Sequence, residues 1–77
     1  MTKALDRALL DAHARGDTGA LIGLYAAAAD ASGDDQAAGF FLTQAYVFAL
    51  EAGDARADHL RHALVTLGRD TPAPPTG

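Results

Sequence analysis

The chain has no cysteine and no tryptophan, a single methionine, and only six lysines and arginines among 77 residues. Each shortage excludes something. Without cysteine there is no disulfide, no thiolate zinc site and no cysteine nucleophile, and the redox compartment is left open with a lean toward the cytosol. Six basic residues against ten acidic ones give a net charge of -4, too little positive charge for the clustered basic face that phosphate contacts need. Nucleic acid is therefore not expected as a partner. Long apolar runs are also missing: the least polar stretch, residues 37–50, contains Thr43 and Gln44 and is shorter than the roughly 20 residues of a membrane span. The start, "MTKALDRALL", is broken by Lys3, Asp6 and Arg7, unlike a secretory signal. The reading is a cytoplasmic protein without a membrane partner.

What is present points to helices. Hydrophobic residues make up 49% of the chain, a globular value, but much of that share is alanine, and the aromatic anchors are three Phe and two Tyr. A chain this short forms one domain at most, near the size where a core only just offsets conformational entropy, so every helix must contribute. A deep internal active site is not expected of it. No run of β-branched and aromatic residues alternates with polar ones, so strands are not expected either.

Gly-Asp recurs at Gly16-Asp17, Gly33-Asp34 and Gly53-Asp54, and Gly68 is followed closely by Asp70. Glycine supplies the left-handed residue that ends a helix without a Cβ penalty, and aspartate accepts from the free N–H groups that open the next. Each step reads as stop, then start. The first lies within Arg15-Gly16-Asp17, an adhesion tripeptide when exposed on a secreted protein, and helix punctuation explains it better here. The marks leave four helical segments, residues 2–15, 18–31, 36–52 and 55–67. All three prolines follow them, in a tail at 69–77 that is expected to be disordered, leaving a single helical domain over 1–68.

The first segment sets Leu5, Ala8, Leu9 and Ala12 on one apolar stripe, with Leu10 on the polar side. The second gathers Leu21, Leu24, Tyr25 and Ala28, and leaves Gly19, Gly23 and Ala27 on another side that is smooth and small. Such a side lets another helix approach closely, so Gly19, Gly23 and Ala27 are a candidate self-association face and the chain a candidate homo-oligomer. The third carries Ala38, Phe41, Leu42, Ala45, Ala49 and Ala52 on one face and Phe40, Tyr46, Val47, Phe48 and Leu50 around most of the rest. A helix apolar nearly all round is packed on several sides, which makes this the central one. The fourth uses Ala57, Leu60, Leu64 and Leu67, flanked by Arg56, His59, His62 and Arg69.

Slid along itself, the sequence brings Leu5 onto Leu42, Ala8 onto Ala45, Ala12 onto Ala49, Gly16-Asp17 onto Gly53-Asp54 and Ala20 onto Ala57. This order of apolar helix, Gly-Asp turn and alanine resembles the tetratricopeptide repeat, a helix-turn-helix unit of about 34 residues. The resemblance covers residues 3–67 as two units. The family's Trp, Leu, Gly, Tyr pattern falls on Leu42, Ala45, Tyr46 and Ala49, so a tyrosine stands in place of the glycine. The resemblance implies a protein-binding groove lined by Phe40, Thr43, Val47 and Leu50 from the third helix, with Lys3, Asp6, Leu10 and His13 from the first. The expected fold is all-α, four antiparallel helices as two stacked helical hairpins, tetratricopeptide-like or a four-helix bundle.

Chemistry is sparse by comparison. His59 and His62 stand three apart on one helix face, a spacing that suits two metal ligands, but no third ligand is evident and no metal is expected. The one serine, Ser32, lies in "ASGDD" with no histidine near it in sequence. Glycine-rich phosphate loops and calcium loops are absent. No catalytic residue and no cofactor is assigned. The reading is a non-enzymatic module that binds a protein, a peptide or itself; its alternative is a small metal- or ligand-dependent enzyme on the His59/His62 face.

Overall fold

Four α-helices follow one another in a computed structural model that describes residues 3–68: α1 (Lys3–Arg15), α2 (Thr18–Ala31), α3 (Asp35–Ala52) and α4 (Arg56–Leu67). The fold is all-α, with no strand among the described residues. The proline-rich tail at 69–77, expected to be disordered, lies outside them, as does Thr2. None of the described helices is long and apolar enough to cross a membrane.

Two of the Gly-Asp steps build the same turn. Gly16 and Gly53 both take the left-handed conformation at φ 64°. The Gly16 N–H donates to the His13 carbonyl and the Asp17 N–H to that of Ala12, while Gly53 donates to Leu50 and Asp54 to Ala49. These paired bonds satisfy the orphan carbonyls of a glycine-ended helix. Asp17 then caps α2 by accepting from the Ala20 N–H at 3.1 Å. Asp54 accepts from the Arg56 N–H at 2.8 Å.

The middle step departs from the expectation. Gly33 is not left-handed, and α2 ends instead at an extended Ser32, whose Oγ donates back to the Ala28 carbonyl at 2.9 Å. Only the aspartate half behaves as expected: Asp34 accepts from the Ala37 N–H at 2.8 Å and starts α3, one residue earlier than the sequence suggests. The serine hydroxyl and its N–H satisfy the Ala28 and Ala29 carbonyls that the helix end would otherwise leave free, so the left-handed stop is not needed.

The helices pack in chain order. α1 lies on α2, α2 on α3 and α3 on α4, whereas no Cα of α1 comes within 8 Å of one in α3 or α4. α2 is therefore as central as α3, where the sequence points to α3 alone. Ile22, the largest fully buried side chain, and Ala29 were absent from its stripe because α2 buries two sides. Toward α1, Leu21 packs with Leu9 and Ala12. Toward α3 and α4, Ile22 shares a cluster with Ala45, Ala49 and Leu60. Tyr25 stacks on Phe48 and Phe41, and His13 meets both Tyr25 and Phe48 edge-on, with its Nε2 2.9 Å from the Tyr25 hydroxyl. That histidine ties α1 to the rest. Ala52, expected in the core, is exposed at the end of α3, and Gly39, not expected there, is buried.

The glycine turns make a clear stability prediction. Gly53→Ala forces a Cβ into the left-handed region and is expected to cost about 1–2 kcal/mol, seen as a lower midpoint in urea unfolding. Gly33→Ala meets nothing within 4 Å, and by restricting the unfolded chain it is expected to stabilise by roughly 0.4–1 kcal/mol.

Candidate functional site

α3 needs only part of its circumference for packing. Ala45 and Ala49 are fully buried, with Phe41, Leu42 and Phe48 partly so. The remaining side runs Phe40, Thr43, Val47, Leu50, spaced three and four residues apart and so aligned along one stripe. Its apolar members are exposed, Phe40 at 58%, Val47 at 43% and Leu50 at 56%. Large apolar side chains in a row are a different matter from a single exposed leucine, which needs no account. The Thr43 hydroxyl donates back to the Gly39 carbonyl at 2.8 Å, so its polar group is engaged within the helix.

Two hollows flank this stripe. One, of about 370 Å³, is lined by Gln36, Gly39, Phe40 and Thr43. Gly39 contributes no side chain, and Phe40 leans edge-on against Phe41 beside it, ring centres 5.5 Å apart. The other, of about 180 Å³, opens between α3 and α4 and is lined by Tyr46, Leu50, Ala57, Asp58 and Arg61. Both are open to solvent and shallow. Val47 sits between them on the stripe.

The eight groove positions implied by the repeat resemblance divide. Phe40, Thr43, Val47 and Leu50 share one side of α3, and Lys3, Asp6 and Leu10 are exposed on α1, Leu10 at 71%. α1 does not come beside α3, and Leu10 lines neither hollow. His13 is engaged with Tyr25 and Phe48. Gln36, Gly39, Tyr46, Ala57, Asp58 and Arg61 line the hollows without having been singled out. The tyrosine in the family's glycine position was a signal for one of them, while the α4 residues depend on how that helix docks.

The small side of α2 is exposed at Gly19, Gly23 and Ala27 but is not bare. The Arg56 guanidinium reaches over from α4, donating to the Gly19 carbonyl at 3.3 Å, and a Cβ at Gly23 would meet it at 3.6 Å. The same guanidinium grips both oxygens of Asp54 at 3.0 and 2.9 Å. That side-chain bond first, then the Arg56 backbone N–H, holds the Asp54 carboxyl down to about 2. Reciprocally, Asp54 raises Arg56, and Asp11 with Asp17 raises Arg15, which bonds to both. These groups secure helix turns.

His59 and His62 are both exposed on α4, with the His62 Nε2 3.5 Å from the Arg61 Nη2. Among the described residues no group of three or more His, Asp or Glu is placed to hold a metal ion. No polar or charged side chain is buried among them. Comparison of the chain with protein-family models, with curated proteins and with solved structures returns no match.

The Asp54 turn predicts an acid limb. A carboxyl depressed in the folded state stabilises fully above its ordinary value near 3.8, and the contribution is lost as pH falls toward about 2. Thermal melts should therefore show wild type above Asp54→Asn at pH 6, with the gap closing between about pH 4 and pH 2. A gap independent of pH would mean that the carboxyl's charge is not what stabilises the turn.

Proposed function

We propose that the chain is a non-enzymatic helical module that binds another polypeptide through the exposed stripe of α3. The observation that carries this reading is the contiguous exposure of Phe40, Val47 and Leu50 on a helix whose opposite side buries Ala45 and Ala49. Burying such side chains against a partner releases water at roughly 25 cal/mol per Å², and the hollows on either side give a partner's side chains somewhere to seat. The repeat resemblance supports the same stripe, since its implied groove positions on the third helix are these residues. The twin turns at Gly16-Asp17 and Gly53-Asp54 support a chain built of two related hairpins.

Chemistry gives the competing reading little to work with. An enzyme on the His59/His62 side of α4 would rest on two exposed imidazoles and no third ligand nearby. The two readings separate on zinc. Under the binding-module reading, a zinc titration leaves the melting temperature unchanged; a rise that His59→Ala abolishes would favour the enzyme.

The stripe itself is tested by Val47→Asp. A charge at the centre of an interface should weaken capture of the bound polypeptide from a native extract by roughly thirtyfold, equivalent to about 2 kcal/mol. Circular dichroism should show the helicity unchanged. Loss of helicity would instead assign Val47 to the core.

A further inference from the structure

The stripe on α3 has a property that a general docking surface need not have: it is complementary to itself when reversed. Its members alternate spacings of three, four and three, the a/d rhythm of a two-helix seam. Reversed about its midpoint, the row Phe40, Thr43, Val47, Leu50 places Phe40 opposite Leu50 and Thr43 opposite Val47. Every layer then contains one larger and one smaller residue, or one apolar and one polar. In a parallel pairing Phe40 would face Phe40 and Thr43 would face Thr43, and the acidic starts of both helices, at Asp34 and Asp35, would lie together. The reversed pairing also sets the two helix dipoles head to tail.

The hollows fit the same register. Antiparallel alignment brings Phe40 of one chain to the cleft of the other that Tyr46, Leu50 and Ala57 line, about 180 Å³. A cavity of ~150 Å³ accepts benzene, so a phenyl ring has room there. Reciprocally, Leu50 comes to the hollow beside Gly39 and Phe40, about 370 Å³. A two-fold axis makes both insertions twice. At the exposures given above, Phe40, Val47 and Leu50 present on the order of 300 Å² per chain. Two copies thus bury about 600 Å² from the stripe alone, and the surrounding exposed Gln36 and Thr43 and partly exposed Gln44, Tyr46 and Arg61 add to it toward the roughly 1,000 Å² of a specific interface.

Building on the proposed binding face, we propose that its occupant is a second copy of this chain, packed antiparallel through α3 about a two-fold axis. The small-residue side of α2 is not the contact; Arg56 already lies across it. The interface is short, about 15 Å along the helix, at the small end of specific interfaces, so the pair is expected to dissociate on dilution.

Sedimentation equilibrium from about 5 μM to 1 mM reads this directly. The mass should rise from 7.9 kDa toward twice that value for the wild type, and remain at 7.9 kDa for Val47→Asp and Phe40→Ser. Two variants guard against one that fails to fold, which circular dichroism detects. Register is read with a short bis-maleimide, which has no native thiol to attack. A mixture of Ala37→Cys and Glu51→Cys chains should cross-link. Either variant alone should not, because its own copies stand about 20 Å apart in the antiparallel pair.

A wild-type chain that stays at 7.9 kDa throughout overturns the proposal, as does a dimer insensitive to both substitutions. Cross-linking of each cysteine variant with itself overturns the antiparallel register. If the wild type is monomeric while Val47→Asp still loses a different polypeptide, the dimer falls and the binding face stands. If Val47→Asp changes neither, both fall.

Discussion

Two alanines govern the arrangement. Ala45 and Ala49, one turn apart on α3 and both without exposed surface, share a single cluster with Ile22 of α2 and Leu60 of α4. Because a methyl group occupies so little depth, α2 and α4 can both bear on α3 there, and the larger Ile22 and Leu60 fill the space that the alanines leave. Interior packing is close enough that one added methylene is felt. A bulkier residue at either position would push one neighbour away. With α3 held between two helices by its small side and by the flanking Phe41, Leu42 and Phe48, the large apolar side chains on its far side, Phe40, Val47 and Leu50, point outward. The exposed stripe is thus a consequence of how the core is made.

Much of the backbone was legible in the sequence, because the signals that set helix ends are local. Gly16, Asp17, Gly53 and Asp54 act within a few residues of themselves, and the structure places them as their chemistry suggests. Gly33 misled for the same reason in reverse: Ser32 beside it satisfies the end of α2 by another route. Burial was harder. A single apolar stripe describes a helix with one packed side, so Ile22 and Ala29, which face the second neighbour of α2, fell outside it. Gly39 is invisible to any hydrophobic pattern, since it is buried by having no side chain.

The candidate site shows the same division between local and non-local information. That Leu10 falls on the polar side of α1 follows from helical spacing alone, whereas α3 is apolar nearly all round and the exposure of its Phe40, Val47 and Leu50 comes from the packing. The hollow between α3 and α4 does not follow from spacing either, because it depends on where Ala57, Asp58 and Arg61 come to rest. Nor could spacing tell that Leu10 stands apart from the α3 residues, which requires knowing that the backbone of α1 lies beside α2 and not beside α3. The cover that Arg56 lays over Gly19 and Gly23 joins residues far apart in the chain, and a reading helix by helix has no means of finding it.

Packing in chain order also bears on how the molecule comes together and comes apart. At the level of the backbone each helix lies against only the one before and the one after it, with the His13–Phe48, Arg56–Gly19 and Ile22–Leu60 contacts reaching beyond that order, so most native contacts close short loops and little entropy is spent before they form. Folding of this kind is fast and proceeds by neighbours. In the reverse direction α1 is held by α2 and by the His13 contacts to Tyr25 and Phe48, and its release leaves the cluster around Ile22 intact. The first helix can therefore open as a unit of its own, a partial unfolding that a closed bundle, with its first and last helices in contact, would not permit.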